Sequence, residues 1–130
     1  MRVFVTGMGM VSAFGKSWEK IRAKFELGRN AVRYMRQWDR YEDLNTRLAA
    51  PIEGYECPSS WDRKQLRSLG TVSMYSVEAA GLALRDAGLM RGENLDAASL
   101  DPSVQDGRLG VACGSSTGST ESILAMAKLL

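Results

Sequence analysis

Between Thr71 and Ala87 the chain carries charge only at Glu78, Arg85 and Asp86, and Gly88 follows as a stop. A helix over this stretch is apolar nearly all round, and such a helix belongs in an interior covered on most sides. Its small residues, Ser73, Ser76, Ala79, Ala80, Gly81 and Ala83, let neighbouring elements approach closely. Two short β-rich runs are available to do so. Val3 to Thr6 ends in glycines and reads as a buried strand entering a tight turn, and Leu109 to Cys113 reads as a second buried strand before Gly114. Two strands joined by a long helical crossover begin an α/β sheet, but two parallel strands alone cannot cover their own buried faces.

The remaining elements follow from caps and breakers. Ser17 caps a helix running to about Leu27, with Trp18, Ile21, Ala23, Phe25 and Leu27 on its apolar side and Gly28 ending it. Residues 30–58 lose periodicity, and Pro51 interrupts their one apolar stretch, so they allow at most an edge strand over Leu48 to Ile52. Ser60 or Asp62 begins a second helical region that leads into the apolar helix. Residues 89–108, with Gly92, Pro102 and Gly107, read as a polar surface loop. A last helix starts near Thr120 and carries Ile123, Leu124, Ala127 and Leu130. Its pattern is still running at Leu130, without a capping glycine or proline, so the 130 residues are expected to be a piece of a longer chain.

Composition excludes several function classes. The formal charge is +2, from 17 basic and 15 acidic residues spread along the sequence, so no concentrated field marks a nucleic-acid or anionic-membrane partner. No apolar run is long enough for a signal peptide or a membrane span, and a cytoplasmic protein is expected. Cys57 and Cys113 lie in unlike contexts, without C-x-x-C spacing, and the chain has no histidine. No metal site is expected, and general acid–base chemistry would need tuned carboxylates, lysine or cysteine in its place.

Two glycine loops are the candidate sites. Gly7-Met8-Gly9-Met10-Val11-Ser12 resembles the opening of a dinucleotide fingerprint, yet Ser12 replaces the third glycine and the helix waits until after Gly15. An acidic residue about twenty positions further on is also missing. The alternative is that the two glycines supply turn geometry and close packing. The second loop, Gly114-Ser115-Ser116-Thr117-Gly118-Ser119, stands between a strand and a helix, where α/β proteins place ligands. It lacks the lysine of a phosphate loop, which leaves a helix start capped by hydroxyls or a direct ligand contact. Cys113, directly before it, reads as a small buried residue, because a nucleophilic thiol needs thiolate stabilisation and a base.

Taken in order, these segments resemble a known family. Arg2-Val3-Phe4-Val5-Thr6-Gly7-Met8-Gly9-Met10-Val11-Ser12-Ala13-Phe14-Gly15 is similar to R-V-V-V-T-G-x-G-x-x-[ST]-x-x-G, the opening of β-ketoacyl-acyl-carrier-protein synthases of the type I/II group. Arg63-Lys64-Gln65-Leu66-Arg67 and Ala83-Leu84-Arg85-Asp86-Ala87-Gly88-Leu89 resemble that family's R-K-x-x-R and A-L-x-D-A-G-L segments. Leu109 to Ser115 resembles its strand and glycine loop.

The resemblance implies a thiolase fold, a five-layer αβαβα sandwich when complete, of which residues 1–130 would be the N-terminal part of the first half, truncated before the catalytic cysteine. It implies decarboxylative Claisen condensation by the complete protein, in fatty-acid or polyketide synthesis. No catalytic residue is carried over to this chain. An acyl carrier protein would be the partner, and no cofactor is implied beyond the phosphopantetheine that carries the substrates. A homodimer or a ketosynthase heterodimer would be the assembly. The family's loop resembles G-S-G-I-G-G beside the acyl cavity, with the isoleucine as acyl gate, so Ser116 falls at the middle glycine and Thr117 at the isoleucine. These two are the substrate-binding candidates, and the variant loop resembles ketosynthases of specialised pathways such as aryl-polyene synthesis. A non-catalytic chain-length-factor subunit and a nucleotide-binding oxidoreductase fragment remain as alternatives.

Overall fold

The computed structural model describes residues 1–92, 94 and 97–129. They form two compact units, one of Val11–Glu56 and one of Met1–Met10 with the residues from Cys57 onward.

The Val11–Glu56 unit opens on a tight turn in which Ser12 and Gly15 exchange backbone hydrogen bonds of 3.0 and 2.9 Å. Ser17 then caps α1 (Trp18–Glu26), its hydroxyl accepting from the Lys20 amide and donating to Glu19. Gly28, at φ +63°, ends the helix as the sequence predicts. Only Ile21 of the expected apolar side is fully buried, at 1% exposure, while Trp18, Phe25 and Leu27 stay largely exposed. Phe14 packs edge-on against Phe25, with ring centroids 6.0 Å apart. The expected edge strand contracts to β2 (Leu48–Ala49), short of Pro51, which cannot donate to a ladder. Its antiparallel partner is β1 (Arg33–Tyr34), with Arg33 opposite Ala49. A two-residue strand has no alternation to read, which is why β1 went unforeseen. Arg47 ties the intervening loop by donating to the Tyr41 and Leu44 carbonyls at 2.6 and 3.3 Å, and it pairs with Asp39 at 3.4 Å.

In the other unit, Asp62 and Gln65 form a reciprocal capping box at the start of α2 (Arg63–Leu66). The Gln65 amide donates to Asp62 Oδ1 at 2.7 Å, and the Asp62 amide donates to Gln65 Oε1 at 3.1 Å. After a break at 67–70 comes α3 (Thr71–Asp86), ended by Gly88 at φ +70°. This is the apolar helix of the sequence, and it is half-buried along most of its length, with Glu78 and Gly81 buried and Ser73, Ser76 and Ala80 exposed. Its small residues do admit close neighbours. A Cβ at Gly9 would stand 2.2 Å from the Ala79 carbonyl oxygen, and one at Gly7 would stand 2.3 Å from that of Ala83.

Both buried strands expected from the sequence are corrected by the structure. Val3 to Thr6 adopts no strand, and Val3, Phe4 and Val5 are 83%, 75% and 83% exposed. Leu109 to Cys113 is likewise irregular and exposed. A strand exists through its ladder partners, and among the described residues neither segment has one. The only sheet there is the β1–β2 pair. The described residues of the 89–108 stretch are more ordered than a polar surface loop. Met90 is buried and bridges Leu100, the Arg91 amide donates to the Ser99 carbonyl and the Asp101 amide to that of Leu89, both at 2.8 Å. The apolar pair closes the loop at its base, a feature that the polar composition between them masks. Residues 93, 95 and 96 of this loop lie outside the described set. The chain's described elements end with α4 (Thr120–Ala127), which starts where the sequence places it and stops at Ala127, while Leu130, expected on the same helix, lies outside the described residues. No helix among the described residues is long and apolar enough to cross a membrane.

Candidate functional site

At the first glycine loop, the Met8 amide donates to Asp86 Oδ2 at 2.8 Å. A pyrophosphate-binding loop keeps such amides for its anion and opens a helix at once. Here a carboxylate from the end of α3 takes the amide, and the next helix begins only at Trp18. The glycine pair therefore serves close packing on α3, and the dinucleotide alternative has no support in the geometry.

The second loop brings more chemistry together. Ser116 and Thr117 are both exposed, whereas Gly118 and Ser119 are half-buried. Gly118 takes φ +62°, open to glycine without strain, and its amide donates to Ser115 Oγ at 3.0 Å, which closes the loop on itself. Ser119 stands at the N-cap of α4 with extended geometry, but its side chain makes no capping bond to that helix. Its hydroxyl accepts instead from the Val72 amide, 3.3 Å away in the first turn of α3. The α3 N-cap is Gly70, which has no side chain to offer, so α3 is capped across space by the loop. A serine, threonine, aspartate or asparagine cap is worth about 1 kcal/mol in ordinary helices. Gly70 is also required sterically, since a Cβ there would meet Ser119 Oγ at 2.3 Å. A second tie joins the same two helices: Thr71 Oγ1 donates to Glu121 Oε2 at 3.1 Å.

Two helix N-termini thus meet at one end of the loop, and the Glu121 carboxylate in the first turn of α4 complements their positive ends. With that acid in place and no lysine in the loop, the arrangement does not suit a phosphate. It presents a short hydroxyl-bearing arc, Ser115 to Thr117, on a firm base. The expectation that hydroxyls cap the helix entered from this loop is corrected: α4 has no side-chain cap, and the Ser119 hydroxyl serves α3 in its place. The two residues singled out in the sequence, Ser116 and Thr117, stand together in the exposed arc, whereas Gly70, Thr71, Glu121 and Asp86, which shape the two loops, escape a reading of the sequence. Only the isolated charge of Glu121 in a hydroxyl-rich stretch signalled any of them.

Cys113 is exposed, which corrects the expectation of a buried packing residue; the segment that was to bury it is not a strand. Cys57 is half-buried, and neither cysteine is in a disulfide. Among the described residues, no group of three or more His, Cys, Asp or Glu side chains is gathered as a metal site.

The family model for "Beta-ketoacyl synthase, N-terminal domain" matches residues 1–129. The chain belongs to the beta-ketoacyl synthase family. This N-terminal domain is similar to a solved beta-ketoacyl synthase from Burkholderia phymatum STM815, with 51% identity and a TM-score of 0.82 over 98% of the chain and 29% of that structure. It is 31% identical to 3-oxoacyl-[acyl-carrier-protein] synthase 2 of Vibrio cholerae across 94% of the chain, and 29% identical to the chloroplastic synthase I of Hordeum vulgare across 90%. The chain spans 27% and 24% of the length of these two relatives. The similarity to a solved synthase bears out the α/β, thiolase-type fold class, although the regular structure among the described residues is mostly helix, with one small sheet.

Proposed function

We propose that the protein carrying this domain is a 3-oxoacyl-acyl-carrier-protein synthase, which condenses an acyl thioester with a malonyl group held on an acyl carrier protein. The observation that carries this reading is the family match running from residue 1 to residue 129. In the proposed reaction a cysteine thiolate takes the acyl group from one carrier thioester and releases that carrier's thiol. Malonyl-carrier protein then loses carbon dioxide, and the resulting carbanion attacks the acyl-cysteine carbonyl, expelling the thiolate and leaving a β-ketoacyl chain on the carrier. None of these bond-making roles falls to residues 1–130. The chain contains no histidine to serve as acid or base, and Cys113 lies in an exposed irregular segment.

The part proposed for this domain is to border the acyl cavity with Ser116 and Thr117. Their exposure at the apex of a loop anchored on two helices supports that role. Threonine offers less apolar bulk than isoleucine and a hydroxyl that needs a partner when covered, which favours acyl groups other than plain saturated chains. An aryl-polyene or related specialised pathway is the proposed setting, in a cytoplasmic homodimer or ketosynthase heterodimer. No cofactor is proposed beyond the carrier's phosphopantetheine.

The test is an assay of the full-length protein with acyl- and malonyl-carrier substrates, reading carbon dioxide release and β-ketoacyl product together. Both are expected. Absence of both, with activity appearing only on addition of a second ketosynthase subunit, would replace this reading by a chain-length-factor role.

A further inference from the structure

The base of the Ser116–Thr117 arc is built unusually. An N-cap hydroxyl ordinarily accepts from an amide two or three residues on in its own helix. Ser119 sits at the α4 cap and spends its hydroxyl on Val72 of α3, while Glu121, two residues into α4, accepts from Thr71, the first residue of α3. At the other end of the arc, Ser115 is held by the Gly118 amide. Ser116 and Thr117 are therefore suspended between two fixed points, and the position of the apex follows the start of α3. Gly70 leaves room for nothing larger beneath Ser119.

We propose that Ser119 and the Thr71–Glu121 bond form a latch, and that Ser119, Thr71 and Glu121 are positioning residues for acyl selectivity. They touch no substrate. They set where Ser116 and Thr117 stand, and a supporting shell of this kind holds site residues to about 0.5 Å. The proposal rests on the reading that the arc borders the acyl cavity. Releasing the latch lets the arc shift and blurs the distinction between acyl groups.

The experiment uses the full-length synthase with Ser119→Ala, Thr71→Val, Thr71→Ser and Thr117→Ile variants. Paired acyl-carrier substrates of different length compete, and the ratio of their kcat/KM values is read beside the melting temperature. Ser119→Ala and Thr71→Val are expected to move the ratio in the same direction by about 3-fold or more, below the tenfold or greater effect of a lost methylene contact. Thr71→Ser keeps the bond to Glu121 and is expected to keep the wild-type ratio. A role limited to stability would lower the melting temperature and leave the ratio alone, and that result overturns the proposal. If Ser119→Ala does not fold, the Thr71→Val and Thr71→Ser pair decides by the same readout. Thr117→Ile separates the two readings. A ratio moved by Thr117→Ile but not by the latch variants overturns the latch and leaves the arc at the acyl site. A ratio moved by none of them removes the arc from the acyl site and the latch with it.

Discussion

A Cβ added at Gly9 would lie 2.2 Å from the Ala79 carbonyl oxygen and 2.5 Å from the Ala83 amide nitrogen, both main-chain atoms that cannot swing aside. Gly9→Ala in the full-length protein should therefore cost at least about 1–3 kcal/mol, as overpacking does. The chemical-denaturation midpoint checks this, and a midpoint equal to that of the unaltered protein would remove the packing role. The glycine spacing was readable as close packing from the sequence, but the hydrogen bond from the Met8 amide to Asp86 was not, because 78 positions separate the partners. Tyr34 was equally hidden. Its hydroxyl donates to the Asp39 carboxylate, and that bond raises the phenol above its ordinary value near 10. A raised folded-state pKa favours the protonated phenol, so its contribution is complete below about pH 10 and is lost as pH rises through the folded value. Tyr34→Phe should flatten the alkaline limb of stability against pH and leave the neutral region's slope unchanged.

At the scale of elements, helix boundaries were legible and strand boundaries were not. A cap is written in one or two neighbouring residues: Ser17 before α1, Asp62 with Gln65 at α2, Gly28 and Gly88 as stops. A strand is defined by a partner elsewhere in the chain, so Val3 to Thr6 and Leu109 to Cys113 could show β-rich composition without showing whether any ladder would receive them. The α1 cap supports a prediction with a pH signature. The Ser17 hydroxyl donates to Glu19, and this bond, with a backbone hydrogen bond, lowers the carboxyl's pKa. A lowered folded-state pKa contributes stability above the ordinary value near 4.3 that is lost as pH falls through the folded value. Ser17→Ala removes the cap and should cost about 1 kcal/mol. It should also bring the Glu19 titration, followed by NMR, back up towards the ordinary carboxylate range. A titration that does not move would mean that the hydroxyl is not what holds it.

For the molecule as a whole, the order of the landmarks is legible in the residues but what covers them is not. Leu109 and Val111 are 43% and 89% exposed, and Ile123, Leu124 and Met126 on α4 are 57%, 57% and 64% exposed, in addition to Val3, Phe4 and Val5. Soluble monomers rarely leave contiguous apolar patches of more than a few hundred Å² uncovered, and larger patches mark surfaces that associate. Unpaired β-rich segments add exposed amide and carbonyl groups to those side chains, which favours pairing with other copies. The 130-residue polypeptide, produced alone, should therefore self-associate at micromolar concentration, bind a hydrophobic dye and unfold without a sharp transition. Val5→Lys together with Val111→Lys should reduce the association, because charge on an exposed β-rich segment opposes edge pairing. Sedimentation velocity of the two forms decides the matter. A monodisperse monomer with a cooperative transition for the unmodified polypeptide would show that these residues are satisfied without a covering partner, and the exposure of Val3 to Val5 and Leu109 to Val111 would then need a different physical account.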